Sequence, residues 1–358
     1  MTRWFVFLLV LGLVALGSQP VGMMLYGWRH GFYVGLGLHY ALQDWQASGK
    51  AIVAPAAPVA VALQPLGKVS RLAEVHNPRL SEASGLAISS RDEQVLFAVN
   101  DSGHAPELFA FNRRGETLGS WPVAGADNID WEDLAAFRLD GEDYLLIADA
   151  GDNFRWRPTV TLYVVKTPNL DDVVPAASVA VAWRIDFRFG GGPRDVEAVG
   201  VDVASRSIYV VSKRTVPAEV YRLPLLPTGK AGPLMAEPIA LLEQIPRPTR
   251  KDQKQDPVYG QNRSQATALT MAANRAVILS YKDAWLFSKA EAEDWAAGFA
   301  RPPSRIVFAG VNQQEAAALS SDGRQLLVTG ERAPAGGVMG LLQIELADEP
   351  QSDTAAGP

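Results

Sequence analysis

Apolar runs of four to six residues, each stopped by polar side chains, recur along most of the chain. Five of them align as Val95-Leu-Phe-Ala-Val-Asn-Asp101, Tyr144-Leu-Leu-Ile-Ala-Asp149, Ile208-Tyr-Val-Val-Ser-Lys213, Ala276-Val-Ile-Leu-Ser-Tyr-Lys282 and Gln325-Leu-Leu-Val-Thr-Gly-Glu331. Their length and their β-branched and aromatic content predict strands. Hairpin turns precede them, most clearly at Asp140-Gly141, Ala273-Asn274 and Ser321-Asp-Gly323. Before each turn stands a hexad: Glu82-Ala-Ser-Gly-Leu-Ala87, Asp130-Trp-Glu-Asp-Leu-Ala135, Asp195-Val-Glu-Ala-Val-Gly200, Gln265-Ala-Thr-Ala-Leu-Thr270 and Glu315-Ala-Ala-Ala-Leu-Ser320, with first positions 48, 65, 70 and 50 residues apart. A third run (107–111, 160–165, 219–223, 285–287, 339–344) and a more alternating fourth (117–123, 179–185, 238–242, 304–308) complete most units.

Four-stranded units at such periods predict an all-β chain folded as a β-propeller. Five blades are counted, and six stays open if the 195–265 interval hides a degenerate one. The fifth unit lacks its outer strand, while residues 67–75 form a strand with no unit of its own. The N-terminal strand is therefore expected to close the last blade, removing exposed edges. An interior helix is expected from Ser288, as N-cap, to Gly298, inserted in the fourth blade. Residues 247–263 read as a polar connector, a solvated loop or an anion-attracting lid.

The chain ahead of the propeller differs in kind. Trp4 to Trp28 carries no charge and predicts a hydrophobic helix. As a signal peptide it would end near Ala15-Leu-Gly17; as an uncleaved anchor, about 25 apolar residues are enough to span a bilayer. The apolar continuation at 32–42 favours the anchor. The expected organisation is a membrane anchor or signal segment over 1–46, an Ala/Pro-rich spacer over 47–65, the propeller over 66–347 and a disordered polar tail over 348–358. Both readings place the propeller at the cell envelope, anchored in the inner membrane and facing the periplasm, or exported.

Composition narrows the chemistry. Net charge is −6, which offers no sequence-wide basic footprint for nucleic acid. Cysteine is absent, excluding disulfides, thiol nucleophiles and Cys-ligated zinc. In a propeller the innermost strand runs along the channel and the second runs back, so hexad starts and second-run ends share one face. That face gathers Asp101, Asp130, Glu132, Asp133, Asp149, Asp152, Asn153, Asp195 and Glu197 as candidate metal ligands. Crowded carboxylates repel unless protonated, paired or bridged by a cation. An oxygen-only donor set suits Ca²⁺, with Mg²⁺ as the alternative. The second unit is densest, with Asp130, Glu132 and Asp133 facing Asp149 and Asp152. Lys213, Arg214, Lys282 and Arg332 would offset charge or bind an anionic substrate, and His104 is placed to act as a general base. Taken singly, each acid has an equal claim to a structural role in turns or ion pairs.

The Asp130-Trp-Glu-Asp-Leu-Ala135 and Asp195-Val-Glu-Ala-Val-Gly200 hexads, each followed by a strand ending in Asp, Asn or Lys, resemble the blade starts of phytase-like propellers, including the "esterase-like activity of phytase" group and its SdiA-regulated relatives. The resemblance is motif-level and strongest over 80–215. It implies that Glu132 and Glu197 are calcium ligands at the catalytic centre, with Asp130 and Asp195 beside them and Lys213 on phosphate. The chain departs from it in blade number, in Asp133 and Ala198 where Gly is usual, and in Thr267 and Ala317 where an acid is expected. Three functions follow as expectations: a metal-dependent phosphoester hydrolase; a non-catalytic propeller binding a small anionic ligand or an envelope protein; and a lactonase-like hydrolase.

Overall fold

A computed structural model describes residues 61–170, 177–215, 217–229, 231–255, 260–332 and 337–347. The expected anchor or signal segment, most of the spacer and the tail lie outside the described residues. Among the described residues no helix is long and apolar enough to cross a membrane.

Strand β1 (Leu66–Val75) leads into five four-stranded blades. Blade 1 is β2 (Ala83–Ile88), β3 (Val95–Asn100), β4 (Glu107–Asn112) and β5 (Thr117–Ala124). Blade 2 is β6 (Trp131–Leu139), β7 (Glu142–Asp149), β8 (Val160–Lys166) and β9 (Val179–Phe189). Blade 3 is β10 (Val196–Asp202), β11 (Ser207–Ser212), β12 (Glu219–Pro224) and β13 (Leu234–Leu241). Blade 4 is β14 (Ala266–Ala272), β15 (Arg275–Ser280), β16 (Ala284–Ser288) and β17 (Ser304–Ile306). Blade 5 is β18 (Gln314–Leu319), β19 (Gln325–Gly330), β20 (Met339–Leu346) and, as its outer strand, β1. The ring is a five-bladed β-propeller, and the described residues of the 195–265 interval form one blade, not two.

Closure is visible in both hydrogen bonds and packing. β1 runs antiparallel to β20, pairing Val75 with Met339 and Val69 with Ile344. Five apolar clusters fill the five seams between blades. The closing seam joins Leu86 and Phe109 of blade 1 to Leu327 and Leu341 of blade 5. Strands here alternate apolar residues to both faces because each blade is covered on both sides, so their middles are buried throughout.

Outer edges are also covered. β9 runs parallel to β5 and to β13, tying blades 1, 2 and 3 along their rims. Residues expected to end the spacer instead run along β17: Arg305 N–H donates to the Ala62 carbonyl (2.8 Å) and Gln64 N–H to the Arg305 carbonyl (2.9 Å). Such pairing blunts edges that would otherwise template association.

The interior helix is shorter than expected. It spans Trp295–Ala300, and Asp294 rather than Ser288 caps it, accepting the Ala296 N–H at 2.7 Å. Trp295 and Phe299 are fully buried against Tyr209 of blade 3. The insertion is a wedge in the seam between blades 3 and 4. The 247–263 connector holds a second short helix, Arg250–Gln255, capped by reciprocal bonds between Thr249 and Asp252.

Candidate functional site

Every inner strand slips register at the same point, between Ala83 and Gly85, Trp131 and Asp133, Val196 and Ala198, Ala266 and Ala268, and Gln314 and Ala316. Each slip is a β-bulge, which leaves one extra residue unpaired and re-aims its side chain. The five bulged residues are Ser84, Glu132, Glu197, Thr267 and Glu315. The fifth hexad thus begins at Gln313, two residues earlier than the sequence pattern placed it. Ala317 is not a lost acid, because Glu315 holds that position. Ser84 and Thr267 donate to the carbonyls of Trp131 (2.8 Å) and Gln314 (3.0 Å) on the next inner strand, so those two bulges stitch blades together. The other three present carboxyls.

Two groups of acids meet in the mouth. One oxygen each from Asp101, Asp130 and Glu132 lie within 4.8 Å of one another, and so do oxygens of Glu132, Asp195 and Glu197. The groups share Glu132 but differ in their company. Asp195 accepts from Arg214 Nε at 2.6 Å, and Glu197 is in direct contact with Lys213 Nζ. No cationic side chain among the described residues lies within ion-pair distance of Asp101, Asp130 or Glu132. Burial pushes the carboxyls of Asp130, Glu132 and Glu197 well up, with neighbouring acids adding to it, and lifts Asp101 to about 6.

Gly151 opens the first group. A Cβ at this position would fall 2.6 Å from Asp130 Oδ2 and still closer to Glu132 Oε1. The two oxygens occupy the space a side chain would take, so only glycine here lets them come together. Asp130 Oδ2 is buried and has no hydrogen-bond partner. A buried, unpartnered carboxylate oxygen facing another acid is costly. A hard cation removes that cost, and the spacing suits oxygen ligation at about 2.3–2.6 Å. The donor set therefore fits Ca²⁺ or Mg²⁺.

The second group is already neutralised. Lys213 is buried, which works against its charge, yet Glu197 outweighs burial and holds its pKa well up. Its Nζ lies 5.3 Å from the centroid of the Tyr281 ring. Tyr281 donates to Glu315 Oε1 at 2.5 Å, and burial raises its pKa too. Glu331 follows on the next blade, lifted to about 7 by burial and by Glu315.

Several predicted site residues are held elsewhere. Asp133 is fully buried in the channel wall, where Oδ1 accepts from Leu134 N–H (2.8 Å) and Oδ2 from Val199 (2.7 Å) and Leu269 (3.0 Å) N–H groups. It ties blades 2, 3 and 4 and is not brought to the other acids. Asp149 is paired with the buried Arg157 at 2.8 Å. Asp152 accepts the N–H groups of Trp156 and Arg157, both at 2.8 Å, which fixes a loop turn. Asn153 is exposed and touches Arg214. Lys282 turns to Asp252 of the connector at 2.5 Å, latching that segment down. Arg332 donates to the carbonyls of Asn77 (2.7 Å) and Leu80 (3.3 Å). His104 stands on the rim, 3.2 Å from Ser81 Oγ and 3.4 Å from Glu82.

Some residues that shape the site were missed by sequence reasoning. Tyr281, not Lys282, is the counterpart of Lys213, and aligning Ser212 with Ser280 at the strand ends would have found it. Arg157 carries no pattern signal. Its guanidinium reaches the carbonyls of Gly151 (2.7 Å) and Asp149 (3.0 Å) because the loop folds back on itself.

No family model matches the chain, and no curated protein matches it. Solved structures similar to it include the nidogen–laminin complex, at 13% identity and a TM-score of 0.38, covering 70% of this chain and 73% of that one. The WD40 domain of Neurospora crassa Pan2 is 8% identical at a TM-score of 0.32, over 77% and 67%. Kuenenia stuttgartiensis hydrazine synthase is 11% identical at 0.36, over 72% and 70%.

Proposed function

We propose that this propeller binds one divalent cation, calcium, between Asp101, Asp130 and Glu132, and uses it with Lys213 and Arg214 to hold the anionic group of a small ligand. The observation that carries this is the convergence over Gly151 of the unpartnered Asp130 Oδ2 and the Glu132 carboxylate. One cation is expected rather than two, because Lys213 and Arg214 already neutralise the second group. A bound calcium would supply charge for an anionic oxygen and polarise an ester.

The finer reading is phosphoester hydrolysis, in line with the likeness to phytase-like propellers. Its support is Glu315 at the fifth bulge, which brings the acids at that position to three of five blades. In it, Lys213 and Arg214 orient the phosphoryl oxygens while Asp101, Asp130 and Glu132 hold the cation. The apolar segment over 4–28 sets this activity at the cell envelope.

Thermal unfolding of chelated protein with added calcium tests the cation. At a concentration 100 times Kd, linkage gives about 2.7 kcal/mol, or a rise of roughly 4–5 °C for a propeller of this size. Gly151→Ala drives a Cβ into both carboxylates, which must move apart, and should remove this rise when the variant is compared with its own chelated melting point. A full calcium response in Gly151→Ala, or none in the parent protein, would discard the site.

A further inference from the structure

We infer that Phe154 and Trp156 form a ring-stacking subsite beside the cup, selecting anionic ligands that carry a planar aromatic ring. This rests on the cation reading above for the anionic half of the ligand. The two side chains are 45% and 55% exposed and are the only exposed aromatic side chains among the described residues. Their rings stack at 5.0 Å between centroids with 30° between planes. Other exposed large apolar residues, such as Val69, Met235 and Val338, are not aromatic. A stacked pair presented to water is an extended platform to which a further planar ring can add, for about 1–3 kcal/mol per stacked base in comparable sites.

The platform is held, not trailing. Asp152 accepts the N–H groups of Trp156 and Arg157, and its carbonyl accepts the Arg155 N–H at 2.8 Å. Arg157, buried below, bonds the carbonyl of Gly151, the residue that opens the cup. Arg155, between the two aromatics, sits at φ +56°, a conformation a bulky side chain seldom adopts unless its surroundings impose it. Phe154 follows Gly151 by three residues, so their Cα atoms lie at most about 11 Å apart. A single aryl group with a short linker covers that span. The edge facing blade 3 is cationic: Arg155 donates to the Arg214 carbonyl at 3.2 Å, and Arg214 touches Asn153 and Asp195. A ligand with its ring on the aromatics and its anion over the cup is matched at both ends.

The test uses full-length protein and two phosphonates with the same charged group, 3-phenylpropylphosphonate and methylphosphonate, titrated calorimetrically with calcium present and again in chelator. The parent protein should bind the phenyl compound at least tenfold more tightly, and Phe154→Ala/Trp156→Ala should erase that preference. The double variant should keep both its methylphosphonate affinity and its calcium-induced rise in melting temperature. Equal affinities in the parent, no binding of either phosphonate, a preference surviving the double variant, or glucose 6-phosphate binding as well as 3-phenylpropylphosphonate would each overturn the inference. A phenyl preference that depends on Trp156 in chelator, without any calcium response, would sink the cation reading and uphold this one.

Discussion

Asp133 is the acid whose replacement most sharply separates structure from function. Asp133→Ala removes the acceptor for three backbone N–H groups, on Leu134, Val199 and Leu269, all inside the ring. Each buried donor left unsatisfied costs about 1–3 kcal/mol. An adjoining cavity of about 40 Å³, lined by Leu134 and Leu269 among others, can admit a water that recovers part of this. The expected loss is therefore about 3–5 kcal/mol. Asp133→Asn can keep its carbonyl oxygen on Val199 and Leu269 and turn only its amide toward Leu134, so about 1–2 kcal/mol is expected. Guanidinium unfolding in chelator, comparing midpoints at unchanged slope, reads the difference. The calcium response should survive in Asp133→Asn, since the residue lies outside the cup. An Ala variant within 1 kcal/mol of the parent, or an Asn variant as costly as Ala, would refute this account of the channel.

Lys213→Met strands Glu197 as an unpaired buried acid and should destabilise by about 3–5 kcal/mol; adding Glu197→Gln should restore most of it, and a double-mutant cycle with no coupling would contradict the pairing. Raised carboxyl pKa values also set a sign for pH. Asp101 at about 6 and Glu331 at about 7 favour protonation in the folded state, against ordinary values of 3.8 and 4.5. Their contribution is full below about pH 4 and is lost as pH rises through 6 to 7. The melting temperature in chelator should fall between pH 5 and 7.5 while the calcium-induced rise grows, because cation binding displaces protons; a flat profile in chelator would contradict the burial of these groups.

The architecture was legible because strand length, turns and hexad spacing are local properties. A chain that repeats a four-strand unit, with a spare strand at one end and a unit one strand short at the other, has little choice but to close on itself, and residues 67–75 do so. Local pattern also put the acids on one face. It could not say which of them would meet. The bulge shifts each inner strand by one residue, and a one-residue shift in a strand reverses the direction of a side chain. That is why Glu132 reaches the cup while adjacent Asp133 enters the channel wall, and why Glu315 proved equivalent to Glu132. Partners such as Lys213 with Glu197, Lys282 with Asp252 and Asp133 with Leu269 are joined across blades or connectors that no short-range spacing links. Only the closed ring, by fixing which blade faces which, decided where charge is paired and where acids meet without a cationic partner.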